Sequence, residues 1–266
     1  MQHKKTTITM TIKPYEYELG EDPTAIKEKE AAKYIKPLKG QTFFAFGDIH
    51  GMYDTFLKLL YRVMRRVEDS PEPVLVFLGD YVDRGPDSAK VVARIREIEQ
   101  GFGGKFKKVR SVFIRGNHDQ HFIDSMNHGN YTLLGYPGGA QTAVSYAGNL
   151  DQMLDDVRWL EQQPNAYYTD DFFFTHAGVN PDVPLMQQNE ETLHYIRRKF
   201  LIDEKDYGRL IVHGHTITDG PDVRSNRVGL DTGSFKTGVL TCGIFRAGAR
   251  DVEFISADGP PSHVWG

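Results

Sequence analysis

Pro73-Val74-Leu75-Val76-Phe77-Leu78 runs straight into Gly79-Asp80-Tyr81-Val82-Asp83-Arg84-Gly85, and this junction decides the fold. The apolar run is short and rich in β-branched residues, so it reads as a buried strand. Two carboxylates and a guanidinium then sit just past the strand's carboxyl end, where open α/β sheets place their ligands. The arrangement recurs on either side. Thr42-Phe43-Phe44-Ala45-Phe46 leads into Gly47-Asp48-Ile49-His50-Gly51, and Val112-Phe113-Ile114-Arg115 into Gly116-Asn117-His118-Asp119.

Between these units the spacing of Phe56, Leu57, Leu60, Val63, Met64 and Val67 predicts a helix over 53–67, and Val91, Val92, Ile95 and Ile98 predict another over 89–99 capped by Asp87 or Ser88. Strand, helix, strand, helix, strand implies a parallel sheet covered on both faces, an α/β fold. Residues 119–165 read as mainly helical, with a break at Gly135-Tyr136-Pro137-Gly138-Gly139 and an amphipathic stretch over 151–162. Gly138 and Gly139 fit a plain turn and a close backbone approach to substrate equally well. Strands at 171–175 and 209–212 then run into His176-Ala177-Gly178 and His213-Gly214-His215-Thr216. Short strands at about 226–231, 237–246 and 251–256 read as an antiparallel second sheet. Residues 1–40 form an arm, surface-packed or partly mobile, without a catalytic role. Residues 41–266 form one domain.

The chain has 266 residues, 39% hydrophobic and 26% charged, the composition of a globular protein with a sizeable core. A net charge of -4 argues against a dedicated nucleic-acid binder, which needs an excess of Lys and Arg. Cys242 is the only cysteine, which excludes an intramolecular disulfide and a Cys-only zinc site, and its apolar strand marks it as core. No apolar stretch is long enough to cross a bilayer, and the start lacks the core of a signal peptide, so the expected location is cytoplasmic, with no membrane partner. Gly101-Phe102-Gly103-Gly104-Lys105 lacks the context of a phosphate-cradling P-loop and reads as a flexible connection.

Asp48, His50, Asp80, Asn117, His176 and His215 all fall at or just past expected strand ends. Oxygen and imidazole donors without thiolates suit Mn, Fe, Zn or Mg-like divalent ions. Six such residues exceed what one open catalytic ion takes, but they suffice for two ions about 3.5–4 Å apart that share a carboxylate and activate a bridging hydroxide.

Gly47-Asp48-Ile49-His50-Gly51, Gly79-Asp80-Tyr81-Val82-Asp83-Arg84-Gly85, Arg115-Gly116-Asn117-His118-Asp119, His176-Ala177-Gly178 and Gly214-His215-Thr216 together resemble the metallophosphoesterases, specifically the PPP serine/threonine protein phosphatases with their bacterial and phage members. The resemblance implies a four-layer α/β/β/α sandwich with two mixed sheets. It implies that Asp48, His50 and Asp80 hold one ion, and that Asp80 bridges to a second completed by Asn117, His176 and His215. His118 is then the general acid, with Asp83 orienting it and raising its pKa. Arg84 grips the phosphoryl oxygens, joined by Arg197 ahead of its neighbour Arg198, and Asn117 also faces substrate. The implied cofactor is a pair of divalent ions, Mn2+ first, with Fe or Zn open. The implied reaction is single-step hydrolysis of a phosphomonoester, with a phosphorylated protein or peptide as partner and small phosphoesters beside it. Asp119 stands where eukaryotic members carry Glu, as in bacterial relatives and the symmetrical diadenosine tetraphosphate hydrolases, so hydrolysis of a dinucleoside polyphosphate is the alternative. A metal-binding scaffold without turnover is the second alternative. His213 reads as a hydrogen-bonded core residue rather than a ligand, Arg115 as structural, and His121, His128, His194 and His263 as having no part in the chemistry.

Overall fold

Alternation along the central strands sets the layers, because successive side chains of a strand point to opposite faces. The computed structural model describes residues 32–34, 40–101, 109–127, 136–249 and 251–262. In β2 (Thr42–Phe46) Phe44 and Phe46 face one core, while Phe43 and Ala45 face another. β3 (Val74–Phe77) splits in the same way, Leu75 and Phe77 against Val74 and Val76. The first core packs under α1 (Tyr53–Val67), α2 (Ser88–Glu99), α3 (Asn117–Asn127) and α5 (Leu150–Glu161); the short α4 (Gly139–Ser145) lies beside α2.

The second core fills the space between two sheets. Phe43, Val76 and Ile114 meet Tyr167 from β5 (Ala166–Tyr168), Phe172 and Phe174 from β6 (Phe172–Thr175), and Val212 from β7 (Leu210–His213). The aromatics predominate here: the Phe43 ring lies 5.6 Å from Phe172 and 5.5 Å from Phe174, inside the range for favourable ring pairs. On the outer face of the second sheet Phe173 and Ile211 pack with Leu193 from α6 (Glu190–Tyr195) and Phe200 from α7 (Arg198–Leu201). The order of layers is helix, sheet, sheet, helix, as expected.

The five-stranded sheet runs β11-β10-β2-β3-β4, with β4 at Arg110–Phe113, β10 at Val239–Arg246 and β11 at Glu253–Asp258. The six-stranded sheet runs β1-β5-β6-β7-β9-β8, with β1 at Ala32–Tyr34, β8 at Asp222–Val223 and β9 at Arg227–Gly229. Both are mixed. This corrects the expectation that the late strands form an antiparallel sheet of their own. β10 and β11 complete the first sheet, β10 pairing antiparallel with β2 through Cys242 and Phe46, and β9 runs parallel to β7. Local turn signals mark where a strand is; they do not say that its partner lies some 200 positions earlier. β1, inside the arm assigned to residues 1–40, pairs in parallel with β5. The rest of the arm, most of the glycine loop at 101–105, His128 and His263 lie outside the described residues.

Candidate active site

Five turns at strand ends converge, three from the first sheet and two from the second. They take unusual backbones to do so. His50, Asp80, Asp83, Arg84 and His215 have φ of 49°, 52°, 71°, 68° and 63°, the left-handed region that costs a side-chain-bearing residue. Strain of about 1–3 kcal/mol per residue persists only where surrounding structure enforces it, and such residues gather at functional sites. Close approach tightens the junction between the sheets: a Cβ on Gly214 would stand 2.0 Å from Asp48 Oδ1, so only glycine lets the second sheet's turn reach that carboxylate.

The donor atoms fall into two buried groups that share Asp80. One holds His50, Asp80 and His118; the other holds Asp80, His176 and His215. His50 donates Nδ1–H to Val82 O at 2.9 Å, which leaves its Nε2 lone pair 3.4 Å from Asp80 Oδ2. His176 donates Nδ1–H to Leu78 O at 2.9 Å, leaving Nε2 as an acceptor. That Nε2 lies 2.8 Å from Asn117 Oδ1, 3.2 Å from His215 Nδ1 and 3.5 Å from Asp80 Oδ1. Asn117 is fixed with its oxygen inward because its Nδ2 donates to Tyr136 Oη at 3.1 Å. Acceptor therefore faces acceptor, an arrangement that repels unless a cation lies between the lone pairs. The electrostatics agree. Burial, then the neighbouring Asp231 and Asp80, pushes the Asp48 carboxyl well above its ordinary range; burial, then Asp119, does the same to Asp80. Burial likewise holds His50 and His176 well below theirs, so both imidazoles are neutral and able to ligate. The residues fit a pair of divalent ions.

Beside the shared carboxylate, His118 donates Nδ1–H to Asp83 Oδ2 at 2.7 Å, and Arg84 Nη2 donates to His118 Nε2 at 2.8 Å. Thr142 Oγ1 donates to Asp83 Oδ1 at 2.7 Å and accepts from Asp83 N at 2.8 Å, so α4 orients the carboxylate. Ser88 Oγ, at the start of α2, accepts from the same amide. Burial lowers the His118 pKa; the adjacent Asp83 acts upward as expected, but burial is the larger influence, and Arg84 adds to it. Asp119 faces away from the cleft. Its carboxylate accepts from Asp80 N, Tyr81 N and Gly116 N at 2.8–2.9 Å, holding the turns after β3 and β4 together.

The sequence motif of the Calcineurin-like phosphoesterase family matches residues 42–232. The chain belongs to that family. Membership makes it a hydrolase of the metallophosphoesterase type. A symmetrical bis(5'-nucleosyl)-tetraphosphatase of Hamiltonella defensa subsp. Acyrthosiphon pisum (strain 5AT) is 33% identical over 143 residues, 52% of this chain and 44% of that protein. The chain thus spans less than half the length of that relative. The asymmetrical bis(5'-nucleosyl)-tetraphosphatase PrpE of Halalkalibacterium halodurans is 26% identical over 244 residues, 80% of this chain and 92% of that one. A solved structure described as a candidate diadenosine tetraphosphatase shares the fold, with a TM-score of 0.62 and 22% identity over 86% of this chain and 98% of that one. These names overturn the expectation of a phosphorylated protein or peptide partner, since the relatives are named for a small nucleotide.

Within this metallophosphoesterase, His50, Asp80, Asn117, His118, Arg84, Arg197 and His215 line one cleft of about 370 Å³. His176 lies beneath its floor, fully buried. Asp48 is buried too but belongs to neither three-residue group; both its oxygens accept from His215 N, at 3.2 and 3.0 Å. Arg197 reaches the cleft, with Nη1 3.5 Å from Thr216 Oγ1, whereas Arg198 starts α7 and does not line it. His213 stays in the core, donating Nδ1–H to Gly214 O at 3.0 Å. Arg115 ties β4 to Asn165 and Glu190. Gly138 packs its backbone on Arg84, whose amide donates to Gly138 O at 3.3 Å. Asp231, Tyr136, Tyr195 and Ile217 also line the cleft and were not singled out from the sequence. Asp231 had a usable signal: Val228-Gly229-Leu230 runs into Asp231-Thr232-Gly233, one more strand followed by a polar turn. His121 reaches the same wall through contacts with Tyr136 and Tyr195.

Proposed function

We propose that the chain hydrolyses dinucleoside tetraphosphates, cutting a phosphoanhydride bond in a single displacement. The observation that carries this reading is the alignment over 80% of this chain and 92% of a protein named as a bis(5'-nucleosyl)-tetraphosphatase. In this reading His50 and Asp80, with Asp48 beside them, hold one ion, and Asp80, Asn117, His176 and His215 hold the other. Bound there, divalent ions neutralise phosphoryl oxygens and make water nucleophilic at neutral pH. Mn2+ is the first choice, since carboxylate, amide and imidazole donors suit it; Fe and Zn suit the imidazoles as well.

The chain's own groups do the rest. Arg84 presents a planar fork to the phosphoryl oxygens, and Arg197 adds a second guanidinium from the mouth of the cleft. A phosphate that takes Arg84 frees His118 Nε2, which takes up a proton from solvent and passes it to the leaving oxygen, while Asp83 holds Nδ1–H and stabilises the imidazolium in between. Asn117 borders the substrate and the second ion at once. A nucleotide cut from the chain leaves as a phosphate whose conjugate acid has a pKa near 6, so the demand on the acid is modest. A cytoplasmic setting belongs to this reading, as the substrate is a nucleotide and Cys242 is a free, buried thiol. The test is incubation with diadenosine tetraphosphate and Mn2+ followed by chromatography. ADP, or AMP with ATP, is the expected product; an enzyme that hydrolyses aryl phosphates yet leaves the dinucleotide intact would overturn the assignment.

A further inference from the structure

The cleft has two chemically different parts. Its floor is charged and polar, formed by Asp80, Asn117, His118 and Arg84, while Tyr136 and Tyr195 stand on one wall. Tyr195 is 39% exposed, so its ring opens to solvent at the rim. Both rings are held from behind. Tyr136 accepts through its hydroxyl from Asn117, and its ring packs at a tilt on His121 with centroids 3.8 Å apart and 36° between planes. Tyr195 Oη and His121 Nε2 share a hydrogen bond of 3.1 Å, and those two rings meet edge to face at 5.9 Å. The hydroxyl groups are thereby committed, and ring surface is what the wall offers.

The phosphate chemistry draws on this wall only through the Tyr136 hydroxyl that holds Asn117, and leaves the ring faces without a task. A rigid aromatic surface costs little ordering entropy when a flat ligand settles on it, and bases stack on aromatic side chains whatever their identity. The cleft volume of about 370 Å³ lies at the low end for a drug-sized ligand, and a dinucleotide is larger than that, so the cleft encloses the reacting phosphates and at most one nucleoside.

We infer that Tyr195 and Tyr136 form a nucleobase subsite, on which one base of the dinucleotide stacks while its phosphates reach the floor. This rests on the substrate class proposed above and adds the residues that discriminate a nucleotide from a bare polyphosphate. Stacking carries no hydrogen-bond code, so adenine and guanine dinucleotides are accepted alike.

The test compares kcat/KM for diadenosine tetraphosphate with kcat/KM for inorganic tetraphosphate, in the Mn2+-loaded enzyme and in Tyr195→Ala and Tyr195→Phe. The ratio is expected to fall about tenfold in Tyr195→Ala, the equivalent of one lost stacking contact, mainly through KM for the dinucleotide. Tyr195→Phe, which keeps the ring and loses the hydroxyl, is expected to hold the ratio within about twofold. A dinucleotide cleaved by the unmodified enzyme with a ratio indifferent to Tyr195→Ala overturns the subsite and leaves the function standing. Failure of the unmodified enzyme to cleave the dinucleotide overturns both. A fall in Tyr195→Phe as large as in Tyr195→Ala assigns the effect to the His121 hydrogen bond and overturns stacking.

Discussion

Asp80 faces both ligand groups from a left-handed backbone, with its amide held by Asp119 and its Oδ1 accepting from His118 N at 2.9 Å. Removing its charge leaves the second set with neutral donors alone and the first with Asp48 as its one carboxylate, with no anion shared between them. Asp80→Asn is expected to retain less than half of the unmodified protein's metal, read by elemental analysis after gel filtration; full occupancy would contradict the shared position. His118 tests the leaving group. His118→Asn is expected to lose about 10²–10⁴-fold in kcat on an alkyl phosphomonoester, whose alkoxide needs a proton, and distinctly less on the dinucleotide. Equal losses on both substrates would remove proton delivery as its task. Thr142 acts one step back, through Asp83. Thr142→Val conserves volume and removes the hydroxyl, so kcat is expected to fall about 10–100-fold with metal content unchanged, and a variant with normal turnover would show that Asp83 needs no such hold.

At the scale of elements, α1 guards an edge. β11 ends the five-stranded sheet, and an unpaired strand invites pairing with another chain. Lys58, Arg62 and Arg66 are spaced four apart and so share one helix face. Lys58 donates to Asp258 O at 3.2 Å, Arg62 to Ser256 O, and Arg66 to the Glu253 carboxylate at 2.7 Å. The double variant Lys58→Ala/Arg62→Ala is expected to self-associate at concentrations where the unmodified protein does not, measured by light scattering; an unchanged mass would mean the edge is protected by its twist alone. The helix itself was legible. Periodicity placed it at 53–67 and the structure has Tyr53–Val67, because one buried stripe repeats through four turns. Pairing was less legible, as β10 shows, since alternation fixes which face of a strand is buried and not which strand lies beside it. The site divides likewise. Residues in motif turns were readable because chemistry restricts their type, whereas Tyr136 and Tyr195 reach the cleft by tertiary folding, one after a helix break and one at the end of α6. The preference for Arg197 over Arg198 agrees with the cleft lining, though charge patterning alone could not supply its reason, which is that the chain turns between α6 and α7 at that very pair.

For the molecule as a whole, buried neutral histidines and buried carboxyls of raised pKa pull stability in opposite directions in acid. Burial lowers His194 to about 3 while its Nε2 donates to Asn165 Oδ1 at 3.1 Å. Between about 3 and the ordinary histidine value of 6.5 the unfolded chain binds the proton and the folded one does not, so stability rises with pH across that window and is lost as pH falls through it. The stability advantage of the unmodified metal-free protein over His194→Gln, read as the difference in denaturant midpoint, is expected to shrink as pH falls from 6.5 towards 3; parallel curves would remove His194 from the acid response. The convergence of two sheets on one centre also has a consequence for synthesis. Asp48 leaves the ribosome 167 residues ahead of His215, whose amide it accepts, and β2 waits longer still for β10. A nascent chain therefore exposes the apolar faces of Phe43 and Ala45 until Tyr167, Phe172 and Phe174 of the second sheet have emerged to cover them.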